Sequence, residues 1–171
     1  LINAGAKVNA KNNDGYTPLM WAMTSPAMNT QTLEIISVLI NAGAKVNARN
    51  NNGNSPLIIA LQHTQTSEVI SVLINAGAKV NTRNNNNSTP LMQAALHAHT
   101  PEVVSVLINA GADANARNKD GNTPLTKAAR NTPSPDVNSV LIHAGARVKQ
   151  RHDDGNTTVA HTHKQPPQKQ T

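Results

Sequence analysis

The stretch LINAGAKVNA occupies residues 1–10 and recurs letter for letter at residues 39–48. Related copies read LINAGAKVNT from residue 73, LINAGADANA from residue 107 and LIHAGARVKQ from residue 141. The first period is therefore 38 residues long, and the three that follow are 34 residues each. Self-similarity at a fixed period of this size indicates a stack of repeats, in which each unit packs on its neighbours and no single central core is needed.

The composition favours thin stacked layers over one large interior. Among the 171 residues there are one tyrosine, one tryptophan and no phenylalanine, and the apolar content comes mainly from Ala, Val, Leu and Ile. The absence of cysteine excludes disulfides and thiolate metal sites. A formal net charge of +6 is a mild basic bias that favours acidic partners. No apolar run approaches the roughly 20 residues needed to cross a bilayer, so no membrane partner is expected.

Each unit is predicted to contain a longer helix that ends inside the repeated stretch. In the third full copy, Val103, Val106 and Leu107 have the i, i+3, i+4 spacing of one helical face. The residues Thr100-Pro101-Glu102 predict the start, since threonine can cap the free amides and proline suits the first helical position. Gly111 predicts the end, because a glycine accepts the left-handed conformation of a helix cap.

A polar tip follows each longer helix, after a short extended piece such as residues 78–81. The tips read NNDG, NNNG, NNNN, NKDG and HDDG and begin at residues 12, 50, 84, 118 and 152. Asn-Gly and Asp-Gly are typical of tight hairpin turns, and Asn87 stands where the third tip lacks its glycine. Thr-Pro or Ser-Pro then predicts a short helix, so each unit is expected to be hairpin, short helix, turn and longer helix.

These motif blocks resemble the ankyrin repeat. The blocks that carry the resemblance are GYTPLMWAM at residues 15–23, GNSPLIIAL at 53–61, STPLMQAA at 88–95, GNTPLTKAA at 121–129 and EVVSVLINAGADANAR at 102–117. The resemblance implies an all-α repeat solenoid of stacked helix–turn–helix pairs with short β-hairpin loops. Residues 1–160 would form the array, with about four helical repeats, the first truncated and a fifth degenerate, and residues 161–171 would form a polar, disordered tail.

The chain also departs from the family pattern. The family's histidine after TPL, which ties neighbouring repeats together, is replaced by Met20, Ile58, Met92 and Thr126, so apolar contact is expected to take over. Trp21 stands where the family has a mostly buried leucine and is expected in the core.

No pattern of residues predicts catalysis or a bound cofactor. Ser37, Ser71, Ser105 and Ser139 recur at one helix position, but no histidine base recurs beside them. Two histidine pairs, at residues 97 and 99 and at residues 161 and 163, offer two ligands each, whereas a structural zinc site needs four. We therefore predict no enzyme, no catalytic residue, no cofactor and no metal site.

Basic residues form two rows that a stack of repeats would align along one edge. The row before the tips is Lys11, Arg49, Arg83, Arg117 and Arg151. The row four residues earlier is Lys7, Lys45, Lys79 and Arg147, and Asp113 interrupts it. A basic stripe can follow a phosphate backbone. However, no aromatic residue recurs for base stacking, which disfavours nucleic acid as the partner.

The resemblance implies a protein–protein interaction scaffold or adaptor, with contacts from the hairpin tips and from the concave face of the short helices. The contact positions carried over are Lys11, Asn13, Tyr16, Arg49, Asn52, Asn54, His63, Arg83, Asn86, Ser88, His97, Arg117, Lys119, Asn122 and Arg130. Further positions of the same kind are Asp14, Asn51, Gln62, Asn85, Leu96, Asp120 and Asn131. Tyr16 is the strongest single candidate, because tyrosine is enriched at binding hot spots. We expect a monomer that binds a protein with an acidic surface.

Two other functions are compatible with the sequence. One is nucleic-acid binding through the basic edge, and the other is a targeting arm of a larger enzyme whose catalytic part is not in this chain. Leu1 begins inside a repeat, so we expect the true N-terminus to lie upstream. The near-identical, asparagine-rich repeats are a style associated with microbial ankyrin proteins. They leave the compartment open, with the cytoplasm slightly favoured.

Overall fold

A computed structural model describes residues 5–24, 30–63, 66–97, 100–131 and 135–146. Within these ranges the chain forms eight α-helices and no β-strand, as an all-α solenoid requires. The helices are α1 (Pro18–Ala22), α2 (Thr30–Asn41), α3 (Pro56–His63), α4 (Ser67–Asn75), α5 (Pro90–His97), α6 (Pro101–Asn109), α7 (Pro124–Asn131) and α8 (Pro135–His143). The predicted fifth unit beyond residue 146 and the tail of residues 161–171 lie outside the described residues.

The helices pair within each repeat and stack between repeats. The inner helices α1, α3, α5 and α7 contact one another in chain order, while α4, α6 and α8 do the same in the outer row. Each inner helix also packs on the outer helix that follows it. Most contacts therefore join neighbours in the stack, which is the architecture that the 34-residue period predicts.

The inner helices begin at the predicted Thr-Pro or Ser-Pro signals. Oγ1 of Thr17 accepts a hydrogen bond from the backbone N–H of Met20 at 3.4 Å, and Thr89 caps α5 in the same way at 3.3 Å. Proline occupies the first helical position, where its missing N–H costs nothing. Local sequence therefore fixes where each inner helix starts, and with it the position of the tip that precedes it.

The outer helices end as the sequence predicts, but α6 begins without the predicted hydrogen bond from a capping side chain. At the end of α2, the N–H of Ala44 donates to the oxygen of Leu39 and that of Gly43 to Ile40, with Gly43 at φ 85°. These two backbone hydrogen bonds at the helix end require a residue at positive φ, which explains why a glycine stands there. Thr100 lies at the N-cap of α6, but its side chain makes no capping hydrogen bond, so only its predicted position is confirmed.

Apolar side chains fill the space between the helix rows. The leucines of the TPL blocks in the first three inner helices are fully buried, and so are Met20, Ile58 and Met92, which replace the family's histidine. Met20 also belongs to the hydrophobic core cluster, whereas at Ile58 and Met92 the burial agrees with the expected apolar contact, which stays a prediction. Thr126 differs, because it is exposed and its Oγ1 donates to the backbone oxygen of Thr123 at 2.9 Å.

The expectation that Trp21 lies in the core is wrong, since 57% of its surface is exposed. The equivalent residue of the next inner helix, Ile59, is fully buried. Helix α3 has an inner helix on each side, α1 and α5, whereas α1 contacts only α3 among the inner helices of the described part of the chain. The indole is therefore left uncovered at the first repeat.

Candidate functional site

The side of the stack made by the tips and the exposed parts of α1, α3, α5 and α7 is called the inner face below. It contains most of the predicted contact positions. Their geometry falls into two groups: side chains that hold neighbouring repeats together, and side chains that line a cavity or stand exposed beside it. The distinction decides which of them can contact a partner without loosening the fold.

The first asparagine of each tip organises its own loop. Oδ1 of Asn50 accepts hydrogen bonds from the backbone N–H groups of Asn52 and Asn54, at 3.0 and 2.9 Å. Equivalent pairs of bonds are made by Asn12, Asn84 and Asn118. Short polar side chains of this kind stabilise turns by bonding to the backbone two to four residues onward. These four asparagines are therefore structural.

Adjacent tips are also bonded to each other. The backbone N–H of Asn85 donates to the oxygen of Asn52 at 3.0 Å, and that of Lys119 donates to Asn86 at 3.1 Å. Nδ2 of Asn85 adds a bond to the oxygen of Asn51 at 2.9 Å. The loops close through turns. The prediction of an extended piece at residues 78–81 is wrong, since this stretch enters a turn that is closed by a hydrogen bond from the N–H of Thr82 to the oxygen of Lys79. The tips thus form a ladder along the stack.

The basic row before the tips is bonded to backbone carbonyls. Nζ of Lys11 donates to the oxygen of Arg49 at 2.8 Å, Arg49 donates to the oxygen of Arg83, and Nη1 of Arg83 donates to that of Arg117 at 2.7 Å. Each cation is exposed, yet each joins its repeat to the next. Residues predicted to contact a partner therefore also serve as connectors between repeats.

A second row of connectors was missed by sequence reasoning. Nδ2 of Asn47 donates to the oxygen of Gly77 at 2.8 Å, and its Oδ1 accepts from the N–H of Lys79 at 2.8 Å. Asn9 and Asn81 make the same pair of bonds one repeat earlier and later. The signal was present, since an asparagine recurs within every early copy of LINAGAKVNA. Its hydrogen-bond partners lie in the next repeat and come within reach only when the repeats stack.

The aromatic end of the inner face lies at α1. The rings of Tyr16 and Trp21 are 5.7 Å apart between centroids and tilted by 46°. They are the only aromatic residues of the chain. Tyr16 is half-buried against the core, while Trp21 is exposed. The pair, called the aromatic platform below, therefore offers an apolar surface with a phenol hydroxyl and an indole N–H as polar groups.

A cavity of about 410 Å³ lies between the tips and helices α3, α5 and α7. Its walls are Asn52, Asn54, Gln62, Asn84, Asn85, Asn86, Ser88, Gln93, Asn118, Asp120 and Lys127. Nε2 of Gln62 donates to Oε1 of Gln93 at 3.3 Å, which leaves Gln62 Oε1 and Gln93 Nε2 without a hydrogen bond among the described residues. The cavity is thus a polar site built chiefly from carboxamides.

The cationic end of the inner face lies on α7. Lys127 lines the cavity, and Arg130, one turn later, is exposed. Neither side chain forms an ion pair with a carboxylate of the described residues. An anionic group of a partner could therefore approach both without displacing an existing ion pair.

The predicted contact residues are distributed unevenly over this geometry. Seven of them line the cavity: Asn52, Asn54, Asn86 and Ser88 and, from the wider set, Gln62, Asn85 and Asp120. Asn122 is buried, whereas Lys119 and His63 are exposed. His97 is half-buried in the last turn of α5. Asn13 supplies its backbone oxygen to Asn51 Nδ2 at 2.8 Å.

Sequence reasoning missed four cavity residues: Asn84, Gln93, Asn118 and Lys127. Two of these, Gln93 and Lys127, share a register with Trp21 and Ile59 on the inner helices. A polar residue at a position that is apolar in the other repeats was the available signal. The sequence pattern does not predict a cavity there, because the walls form only when the tips stack against this position.

Two other kinds of site are absent from the part of the chain that the structure describes. No group of three or more His, Asp or Glu side chains there could hold a metal ion. No helix in the described ranges is long and apolar enough to span a membrane.

Comparison with known families gives one result. A family model described as ankyrin repeats in three copies matches residues 1–84 and also residues 63–152. The two matches overlap and together cover most of the chain. No curated protein shows significant similarity to it.

Proposed function

The chain belongs to the ankyrin-repeat family, and from this premise we propose that it is a non-catalytic scaffold or adaptor that binds a partner protein through its inner face. Ankyrin repeats are in general protein–protein interaction modules. The proposal goes further in naming the surface and the residues. The binding residues would be those of the aromatic platform, the carboxamide cavity and the exposed tips.

The exposed indole of Trp21 is the observation that carries the proposal. Tryptophan and tyrosine are enriched at the few interface positions that supply most of the binding energy. Here the only tryptophan of the chain is 57% exposed, and the only tyrosine lies against it. They belong to the first repeat, whose inner helix α1 contacts α3, the first helix of the cavity wall. Interfaces commonly combine apolar anchors with polar surroundings.

The basic row supports partner binding less directly. Lys11, Arg49 and Arg83 already donate to backbone oxygens of the next repeat, so a partner that took these donors would compete with the stack. The same competition applies to a nucleic-acid phosphate. Preference for an acidic partner is better supported by Lys127 and Arg130, which have no carboxylate partner among the described residues, and by the net charge of +6.

Affinity capture with matched variants tests the proposal. The full chain, Trp21→Ala and Ile142→Ala would each be immobilised, and captured proteins compared quantitatively. Ile142 is the control, because it is also a large apolar residue, 49% exposed, but lies on the outer helix α8. Proteins captured by the unmodified chain should be lost with Trp21→Ala and kept with Ile142→Ala. Equal capture by all three would contradict the proposal.

A further inference from the structure

The inner face changes in chemistry along the stack. One register position, three residues after each TPL proline, holds Trp21, Ile59, Gln93 and Lys127 in turn. Trp21 is exposed, and Gln93 and Lys127 line the cavity. The face therefore runs from an aromatic platform at α1, through carboxamides at α3 and α5, to cations at α7. A ligand that contacts the whole face would need an apolar group at one end, hydrogen-bonding groups in the middle and an anionic group at the other end.

The dimensions of the face fit a short segment. Packed helices lie about 8–10 Å apart, so that the three steps from α1 to α7 span roughly 24–30 Å. An extended polypeptide rises about 3.3 Å per residue and would cross this distance in about seven to nine residues.

The carboxamides favour an extended backbone over a helix. Each Asn or Gln side chain offers a donor and an acceptor, the same pair of groups as a peptide unit. In the cavity, Gln62 Oε1 and Gln93 Nε2 have no hydrogen bond among the described residues, so they can accept from an N–H and donate to a C=O. A helix keeps those backbone groups for itself, whereas an extended segment presents them. The cavity of about 410 Å³ has room for a few residues of such a segment.

The two ends of the face select different side chains. The Tyr16–Trp21 platform favours an apolar or aromatic residue, which gains from burial against both rings. A cationic residue could also stack on the indole, but the net charge of +6 disfavours a cationic ligand. Lys127 and Arg130 together outweigh the one carboxylate of the cavity wall, Asp120, and favour a carboxylate on the ligand. Charge-assisted hydrogen bonds to either cation are among the stronger polar contacts.

We infer that the partner presents an extended segment of about seven to nine residues, with an apolar or aromatic residue at one end and an acidic residue at the other. The apolar residue lies on Tyr16 and Trp21, the backbone of the segment pairs with the carboxamides of Gln62 and Gln93, and the acidic residue meets Lys127 and Arg130. This inference rests on the proposed function and specifies the class of partner that it requires.

Selection from a peptide library tests the inference. A phage-displayed library of random nine-residue peptides would be selected on the full chain, on Trp21→Ala, on the double variant Lys127→Glu/Arg130→Glu, and on Ile142→Ala as the control. The full chain and the control should enrich peptides with a large apolar residue several positions away from Asp or Glu. Trp21→Ala should lose the apolar preference alone. The double variant should exchange the acidic preference for Lys or Arg.

Binding constants of one selected peptide, measured by fluorescence anisotropy, give the size of each effect. Trp21→Ala and the double variant should each weaken binding at least tenfold, and only the second effect should shrink with added salt. Preferences that survive both substitutions, or a library without enrichment, would overturn the inference. If proteins were still captured in a Trp21-dependent manner, the proposed function would stand and the partner would instead present a folded surface.

Discussion

Nη1 of Arg83 lies 2.7 Å from the backbone oxygen of Arg117, the residue at the same position one repeat later. The same guanidinium nitrogen also donates to the oxygen of Asn87 within its own repeat, at 3.2 Å. Arg83 thus closes its own tip and fastens it to the next one. A row of cations that looks like a ligand-binding stripe in the sequence is, in the structure, also a row of connectors.

Removing the donors of Arg83 should therefore destabilise the stack. Arg83→Met keeps most of the apolar stem but loses both bonds, and we expect the free energy of unfolding to fall by about 1 kcal/mol, the usual net contribution of exposed hydrogen bonds. Lys79→Met is the control, because it removes an equally exposed cation from the neighbouring basic row. Denaturant unfolding measures both. Equal losses for the two variants would mean that the bonds of Arg83 contribute nothing beyond charge.

The asparagine row should contribute more per residue. Asn47 makes two bonds of 2.8 Å to the next repeat, one as donor and one as acceptor. Asn47→Ala should lower the free energy of unfolding by about 1–2 kcal/mol. It should also broaden the transition, since in a repeat array the coupling between neighbours keeps unfolding cooperative. Asn75→Ala, at an exposed helix end, is the control and should change the free energy of unfolding by no more than about 0.5 kcal/mol. If Asn75→Ala lost as much stability as Asn47→Ala, the bonds of Asn47 would not be connectors that stabilise the stack.

The tip glycines allow a matched test of close packing. Gly53 and Gly121 have nearly the same φ, 73° and 75°. A Cβ at Gly53 would meet Oδ1 of Asn85 and lie 2.9 Å from its backbone nitrogen, whereas a Cβ at Gly121 would meet no atom of the described residues within 4 Å. Gly121→Ala should cost about 1–2 kcal/mol of unfolding free energy from the positive φ alone. Gly53→Ala should cost measurably more, and thermal unfolding showing equal costs would contradict the packing between tips.

The sequence predicted the helices well because their signals are local. Thr-Pro and Ser-Pro mark the starts of α1, α3, α5 and α7, and Ala-Gly marks the ends of the outer helices. The positive φ of Asn87, at 57°, likewise follows from the tip pattern alone. Each of these features is decided within a few residues of chain, where propensity and capping dominate.

The connectors and the cavity could not be predicted in this way. The bond between Arg83 and Arg117 joins residues 34 positions apart and exists only once two tips are stacked. The family resemblance predicts a buried Trp21, because its counterpart is mostly buried, but the burial of that position depends on the neighbouring helices and not on the residue itself. The roles of Gln93 and Lys127 depend on the stack in the same way, since only the stacked tips turn their register position into a cavity wall.

The exposure of Trp21 can be measured before any partner is identified. It is the only tryptophan of the chain, so its fluorescence reports one site. With 57% of its surface exposed, its emission should lie close to that of a solvated indole, and iodide should quench it efficiently. Emission typical of a buried indole, with little quenching, would show that the aromatic platform is covered and unfit to bind a partner.

The most direct test of the account follows the same residue during binding. The full chain would be prepared with 5-fluorotryptophan at Trp21, and its ¹⁹F resonance recorded while a captured partner protein, itself unlabelled, is added. Binding at the inner face should shift or broaden this resonance, and the change should saturate as partner is added. Binding should also protect the resonance from broadening by a paramagnetic relaxation agent in solution. A partner that binds by an independent assay and leaves the Trp21 resonance unchanged would contradict the claim that the inner face is the binding surface.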